Sequence, residues 1–272
     1  MMKKIIKSFK KSKKYSIKWS NYFEIYEKIL KKYVNKNITI VEVGVGDGGS
    51  LFMWKDFLGK KAKVIGIEMN PNSKLLEKFG FKIFIGDQSS KKFWKNFFKK
   101  IGKIDILIDD GGHTNLQQIT TLMESIPYIK DGGSIIVEDT HTSFMNYKGF
   151  RNPSKNSFIN FSTKLIENLH RRNPMLKKKT NQFSNKISSI EYFDSIVCIN
   201  ISKKKLNISK NIENNKKLRT SFSDYRFKKT NLGSADKNKF INKISSKISR
   251  KGLIYKIYEN LRVNSYLKKI IN

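Results

Sequence analysis

The stretch Val41-Glu-Val-Gly-Val-Gly-Asp-Gly-Gly-Ser50 constrains the fold more than any other part of the chain. It joins an apolar run over residues 38–43 to a helical pattern over 50–58. Gly44, Gly46 and Gly48 let the backbone turn sharply there and approach a ligand with no Cβ in the way. A strand, a glycine turn and a helix in that order open a Rossmann-like α/β unit.

The rest of the first two hundred residues continues the alternation. Residues 63–68, 82–86, 104–109 and 134–139 read as short apolar strands. Residues 91–100 and 115–128 read as helices between them, the second stopped by Asp131-Gly-Gly133. Buried strands separated by helices predict a mostly parallel sheet covered on both faces. Before it, Trp19, Tyr22, Phe23, Tyr26, Ile29 and Leu30 recur at helical steps, which predicts an amphipathic leading helix behind a Lys-rich arm (1–14). Past Thr140 a loop (144–153), a helix (158–169) and a final strand or strand pair (189–199) are expected. The domains expected are 1–37 (arm and leading helix), 38–202 (the α/β domain) and 203–272, a Lys-rich linker with two basic amphipathic helices.

Carboxylates beside the glycine turn select the ligand. Glu42 and Asp47 would repel a dinucleotide pyrophosphate but suit the sulfonium and ammonium of S-adenosylmethionine. Glu68, ending the second strand, suits both ribose hydroxyls. Asp87 or Gln88, ending the third, suits the adenine. The expected cofactor residues are therefore Glu42, Gly44, Gly46, Gly48, Glu68, Asp87 and Gln88.

A second cluster carries the chemistry. The fourth strand ends Asp109-Asp-Gly-Gly-His113, and the fifth ends Glu138-Asp-Thr-His141. Neighbouring strands would aim these groups into one crevice beside the cofactor. Packed carboxylates need a cation among them, and a hard divalent ion with oxygen ligands fits. Such an ion can hold a hydroxyl for in-line attack on the sulfonium methyl. A neutral His113 can take the proton. The residues leave the part played by His141 open.

Composition sets the partners. The formal net charge is +34, but the basic residues are nearly all Lys, whereas base readout and bidentate phosphate recognition favour Arg. Hydrophobic residues make up 38% of the chain, dense up to residue 201 and diluted by Lys, Asn and Ser afterwards. Lys, Asn and Ile are jointly enriched, as an AT-rich genome produces, so drift is the first reading of the charge; an anionic membrane surface, met by the Lys-rich tail, or an acidic glycan comes next, and nucleic acid is disfavoured as a partner. The single cysteine, Cys198, excludes an internal disulfide framework and a Cys-rich metal site. No apolar run is long enough to span a bilayer. The expected location is cytoplasmic, with room for peripheral attachment to the inner membrane face.

Taken together, the glycine loop, Gly86-Asp-Gln-Ser89, Ile108-Asp-Asp-Gly-Gly-His113, Val137-Glu-Asp-Thr-His-Thr142 and Tyr192-Phe-Asp-Ser-Ile-Val197 resemble the class I S-adenosylmethionine-dependent methyltransferases. The subgroup they are most similar to is the metal-dependent sugar O-methyltransferases of macrolide biosynthesis and the cephalosporin hydroxylase-like proteins. The resemblance covers about residues 19–199. It implies Mg²⁺ held by Asp110, Glu138 and Asp139, with Asp110 thereby catalytic. It also implies His113 as general base, Asp109 near the methionine end of the cofactor, and a sugar-containing acceptor. The readings set against it are an RNA or other nucleic-acid methyltransferase, and a non-catalytic membrane-surface protein with a relic fold.

Overall fold

The structure, a computed structural model, describes residues 4–146, 156–170, 173, 186–202 and 212. The expectations for the loop over 144–153 and for the tail beyond 202 lie largely or wholly outside these residues. A seven-stranded sheet in the order β3-β2-β1-β4-β5-β7-β6 forms the centre. Its strands are β1 (Thr39–Val43), β2 (Lys63–Glu68), β3 (Lys82–Ile85), β4 (Ile104–Asp109), β5 (Ile129–Val137), β6 (Ile187–Phe193) and β7 (Ile196–Ile201). The first five run parallel; β7 enters antiparallel between β5 and β6. Strand order reverses at β1, between β2 and β4, which opens a crevice at the carboxyl ends of these strands.

Helices cover both faces, as buried parallel strands require. They are α1 (Lys4–Lys10), α2 (Tyr22–Leu30), α3 (Gly49–Leu58), α4 (Lys91–Ile101), α5 (Asn115–Ser125) and α6 (Phe158–His170). One core joins α1, α2 and α3 to one face of the sheet through Ile5, Tyr22, Tyr26, Trp54 and Phe57. The other places Trp94, Phe97, Leu122 and Phe158 on the opposite face. Local chemistry sets the helix starts. The Ser90 hydroxyl accepts from the Phe93 amide at the head of α4, and Thr114 with Gln117 forms a capping box on α5.

Two local expectations change. The Lys-rich arm contains α1, whose Ile5 is wholly buried and whose Ser8 hydroxyl donates to Asp56 on α3 at 2.6 Å. Ile6 and Phe9 pack against the same core, Phe9 edge-on to Phe23 at 5.0 Å, so apolar residues among the lysines dock the arm. Replacing Ile5 by Ala should therefore cost about 2–5 kcal/mol in urea unfolding; a freely solvated arm would leave the midpoint unchanged. The second change concerns Asp131-Gly-Gly133, which does not stop a helix. Helix α5 ends at Ser125 and a 3-10 turn carries the helical stretch to Tyr128, its expected end; the glycines lie beyond it, inside β5, where its register against β4 shifts. Gly132 has φ +77°, and a Cβ on Gly133 would stand 2.4 Å from the Asp105 carbonyl oxygen, so the glycines make a bulge. No helix among the described residues is long and apolar enough to cross a membrane.

Candidate active site

Backbone hydrogen bonds splice the strand ends around the crevice. The Gly44 amide donates to Ile67, the Asp110 amide to Val43 and the Glu138 amide to Asp109. A Cβ on Gly44, which has φ +83°, would fall 2.0 Å from the Asp110 carbonyl oxygen. Glycine is thus required for the loop after β1 to touch the loop after β4. A cavity of about 570 Å³ opens over this junction, lined in part by Gly44, Gly46, Glu68, Asp110, His113 and Asp139. A smaller one of about 190 Å³ shares Gly44, Glu68 and Gly111 with it and extends past Gly86, Gln88 and Gln117.

The expected cofactor residues divide by position. Glu68 reaches across the glycine loop: one carboxylate oxygen accepts from the Val45 and Gly46 amides at 2.9 and 3.1 Å. The other accepts from Met69 and Asn70. Gly48 caps α3 with φ +90°. Gln88, 4% exposed, donates to Asp109 and Thr121 and accepts from the Gly112 amide, so it shapes the smaller cavity as a clamp. Asp87 is not on either cavity wall; its carboxylate accepts from the amide and hydroxyl of Ser89. Asp109 and Glu42 are likewise buried behind the surface. Burial raises the Asp109 carboxyl, against the hydrogen bond from Gln88. Burial pushes Glu42 up to about 7, against Lys18 and a 2.6 Å hydrogen bond from Ser50.

Asp110, His113 and Asp139 converge, offering ligand atoms within 4.8 Å of one another. The His113 Nε2 lies 3.4 Å from Asp139 Oδ2. Both His113 and Asp139 have left-handed backbones, with φ +56° and +51°. Such strain in non-glycine residues persists only where the surroundings enforce it, and it gathers at functional sites. At Asp139 Tyr22 enforces it: its hydroxyl donates to Asp139 Oδ1 at 2.5 Å and accepts from the Asp139 amide at 3.1 Å. His141 Nδ1 lies 3.9 Å from Asp139 Oδ1, and its ring meets Trp19 edge-on at 6.1 Å.

Glu138 is turned inward. Its side chain is fully buried, and Oε2 accepts from the Lys18 ammonium at 2.8 Å. Asp110 accepts from the same ammonium, and Glu42 Oε1 stands 3.8 Å away. Burial opposes the charge on Lys18, but Glu138, Asp110 and Glu42 outweigh it and raise its pKa. Burial and Asp110 together push the Glu138 carboxyl well up, against Lys18. Sequence reading missed Lys18 and Tyr22. Nothing distinguishes Lys18 from the other lysines of the arm, and Tyr22 reads simply as an inward position of α2.

This strand order, with a glycine loop and an acidic second-strand end at the switch point, is the class I methyltransferase fold. No family model matches the chain. The chain is similar to sugar O-methyltransferases of antibiotic assembly. It is 31% identical over 144 residues to 8-demethyl-8-alpha-L-rhamnosyl tetracenomycin-C 2'-O-methyltransferase of Streptomyces olivaceus, covering 50% of this chain and 38% of that protein. It is 30% identical over 121 residues to mycinamicin VI 2''-O-methyltransferase of Micromonospora griseorubida, covering 42% and 30%. The chain thus matches well under half the length of these relatives. In structure it is similar to the MycE methyltransferase solved with Mg, SAH and mycinamycin VI. The TM-score is 0.64 at 21% identity, over 75% of this chain and 54% of that one.

Proposed function

We propose that the chain transfers methyl from S-adenosylmethionine to a sugar hydroxyl of a glycan, glycolipid or glycosylated metabolite, with Mg²⁺ as metal. The observation that carries this reading is the meeting of the glycine loop with Asp110, His113 and Asp139 on one cavity. The donor set fits the ion: two carboxylates converge, and hard cations select oxygen. When bound, the cofactor supplies an electrophilic methyl and Mg²⁺ lowers the pKa of the acceptor hydroxyl.

The residues divide the remaining work. Gly44, Gly46 and Glu68 seat the nucleoside; four backbone amides occupy the Glu68 carboxylate, so the ribose hydroxyls bind it by replacing some of these donors. Gln88 holds the shape of the adenine side. Gly48 starts α3 at the angle the loop needs. Asp110 and Asp139 would hold the ion, with Glu138 as their third carboxylate. Because Mg²⁺ prefers oxygen, the Nε2 of His113 is left to take the acceptor proton. Tyr22 fixes Asp139 through Oδ1, which leaves Oδ2, 3.4 Å from His113 Nε2, as the oxygen that would ligate the ion. Ile17 and Trp19, 76% and 60% exposed, give the outer wall an apolar face on which the C–H face of a sugar can rest. The named relatives support neither the nucleic-acid nor the non-catalytic reading.

The test is transfer of isotopically labelled methyl from S-adenosylmethionine to a panel of deoxysugar glycosides, with Mg²⁺ or with EDTA. Transfer should require the ion. Normal cofactor binding with no transfer to any glycoside would overturn the sugar reading.

A further inference from the structure

The feature left over is Lys18. In the stretch from Lys13 to Ser20 its side chain, 2% exposed, is the one driven inward, while Tyr15, Ile17 and Trp19 on either side are 60% exposed or more. No apolar side chain anchors the strand of chain around it. Upstream the segment is tied to the head of α3: Ser12 donates to the Gly49 carbonyl at 2.7 Å, and the Gly49 amide donates to the Tyr15 carbonyl at 3.1 Å. A Cβ on Gly49 would fall 2.4 Å from that carbonyl oxygen. A fixed point beside the glycine loop therefore delivers a flexible four-carbon stem into the acid cluster.

Three carboxylates meet that ammonium, two of them wholly buried. Buried anions without a cation are strongly destabilising. Two of the same three, Asp110 and Glu138, are among the three carboxylates that would hold the proposed ion. An ammonium bonded to both and a divalent ion ligated by both compete for one volume, and at such range their mutual repulsion is large in a partly buried site.

We infer that Lys18 is a resident counter-ion that holds Asp110 and Glu138 in the ion-free protein and is displaced when the divalent ion binds, so that it sets the affinity of the site. This rests on the metal reading above. Its consequence is that Glu138 joins the ligand set only after the ammonium leaves, which is why the sequence places Glu138 beside Asp139 while the structure turns it inward.

The test is direct binding of Mn²⁺, followed by loss of the free-ion electron paramagnetic resonance signal, in the full chain and its Lys18→Met variant. The variant should bind Mn²⁺ at least about tenfold more tightly, and its ion-free form should melt earlier, with Mn²⁺ restoring it. Equal or weaker Mn²⁺ binding by a folded variant overturns the inference. Absence of Mn²⁺ and Mg²⁺ binding by both proteins overturns the metal reading itself, and the inference with it. Wild type gives a second measurement that needs no variant. Lysine acetylation mapped by mass spectrometry should find Lys18 protected without Mg²⁺ and several-fold more reactive with it, the exposed lysines serving as reference. Unchanged protection on saturation with Mg²⁺ overturns the displacement.

Discussion

Replacing His113 by Asn lowers kcat about 10²–10⁴-fold while leaving the dissociation constant for S-adenosylmethionine unchanged. That is the range general-base removal covers. The choice of Asn matters. His113 sits at φ +56°, where most residues pay roughly 1–2 kcal/mol but Asn is tolerated. Alanine would mix loss of the base with strain in the Gly111-Gly112-His113 turn, which also abuts Gly44. Asn keeps the turn and removes the imidazole nitrogen that would take the acceptor proton. Steady-state kinetics with the acceptor and calorimetry with the cofactor check the two halves separately. Weakened cofactor binding by the variant would place His113 in the nucleoside site rather than at the acceptor.

Gly44→Ala should abolish cofactor binding and destabilise the protein. The left-handed backbone costs about 1–2 kcal/mol for a residue bearing a Cβ. The 2.0 Å approach to the Asp110 carbonyl adds an overpacking cost of about 1–3 kcal/mol. The clash is with backbone, so no rotamer change relieves it. At roughly 2–4 °C per kcal/mol for a chain of this size, the melting temperature should fall about 4–20 °C. Gly80→Ala is the control: its φ is also +83°, yet nothing lies within 4 Å of the new Cβ. It should show the backbone cost alone and keep the cofactor. Similar losses in both variants would mean that the contact between the two loops is not what Gly44 provides.

The second and fourth strands were legible because each is a short apolar run closed by an acidic residue. Residues 63–68 and 104–109 were expected as strands, and β2 and β4 occupy those bounds. The fourth and fifth strands, expected as neighbours, do pair, and their ends bring Asp110, His113 and Asp139 to one mouth. What stayed illegible depends on long-range contacts. Whether residues 189–199 form one strand or two turns on a hairpin at Asp194-Ser195. Asp87 carries the type and position of a nucleoside ligand, yet the Ser89 two residues on satisfies its carboxylate locally. The inward turn of Glu138 depends on a lysine 120 residues earlier in the chain, and no local pattern encodes such a pairing.

Tryptophan placement has a practical consequence. Trp54 and Trp94 are sealed in the two cores, while Trp19 stands 60% exposed on the cavity rim, next to Lys18. The chain has three tryptophans in all. Intrinsic fluorescence therefore splits into a blue, unquenchable background and one red, solvent-sensitive emitter at the mouth of the cleft. The molecule carries its own optical gauge of what enters there, with no label attached.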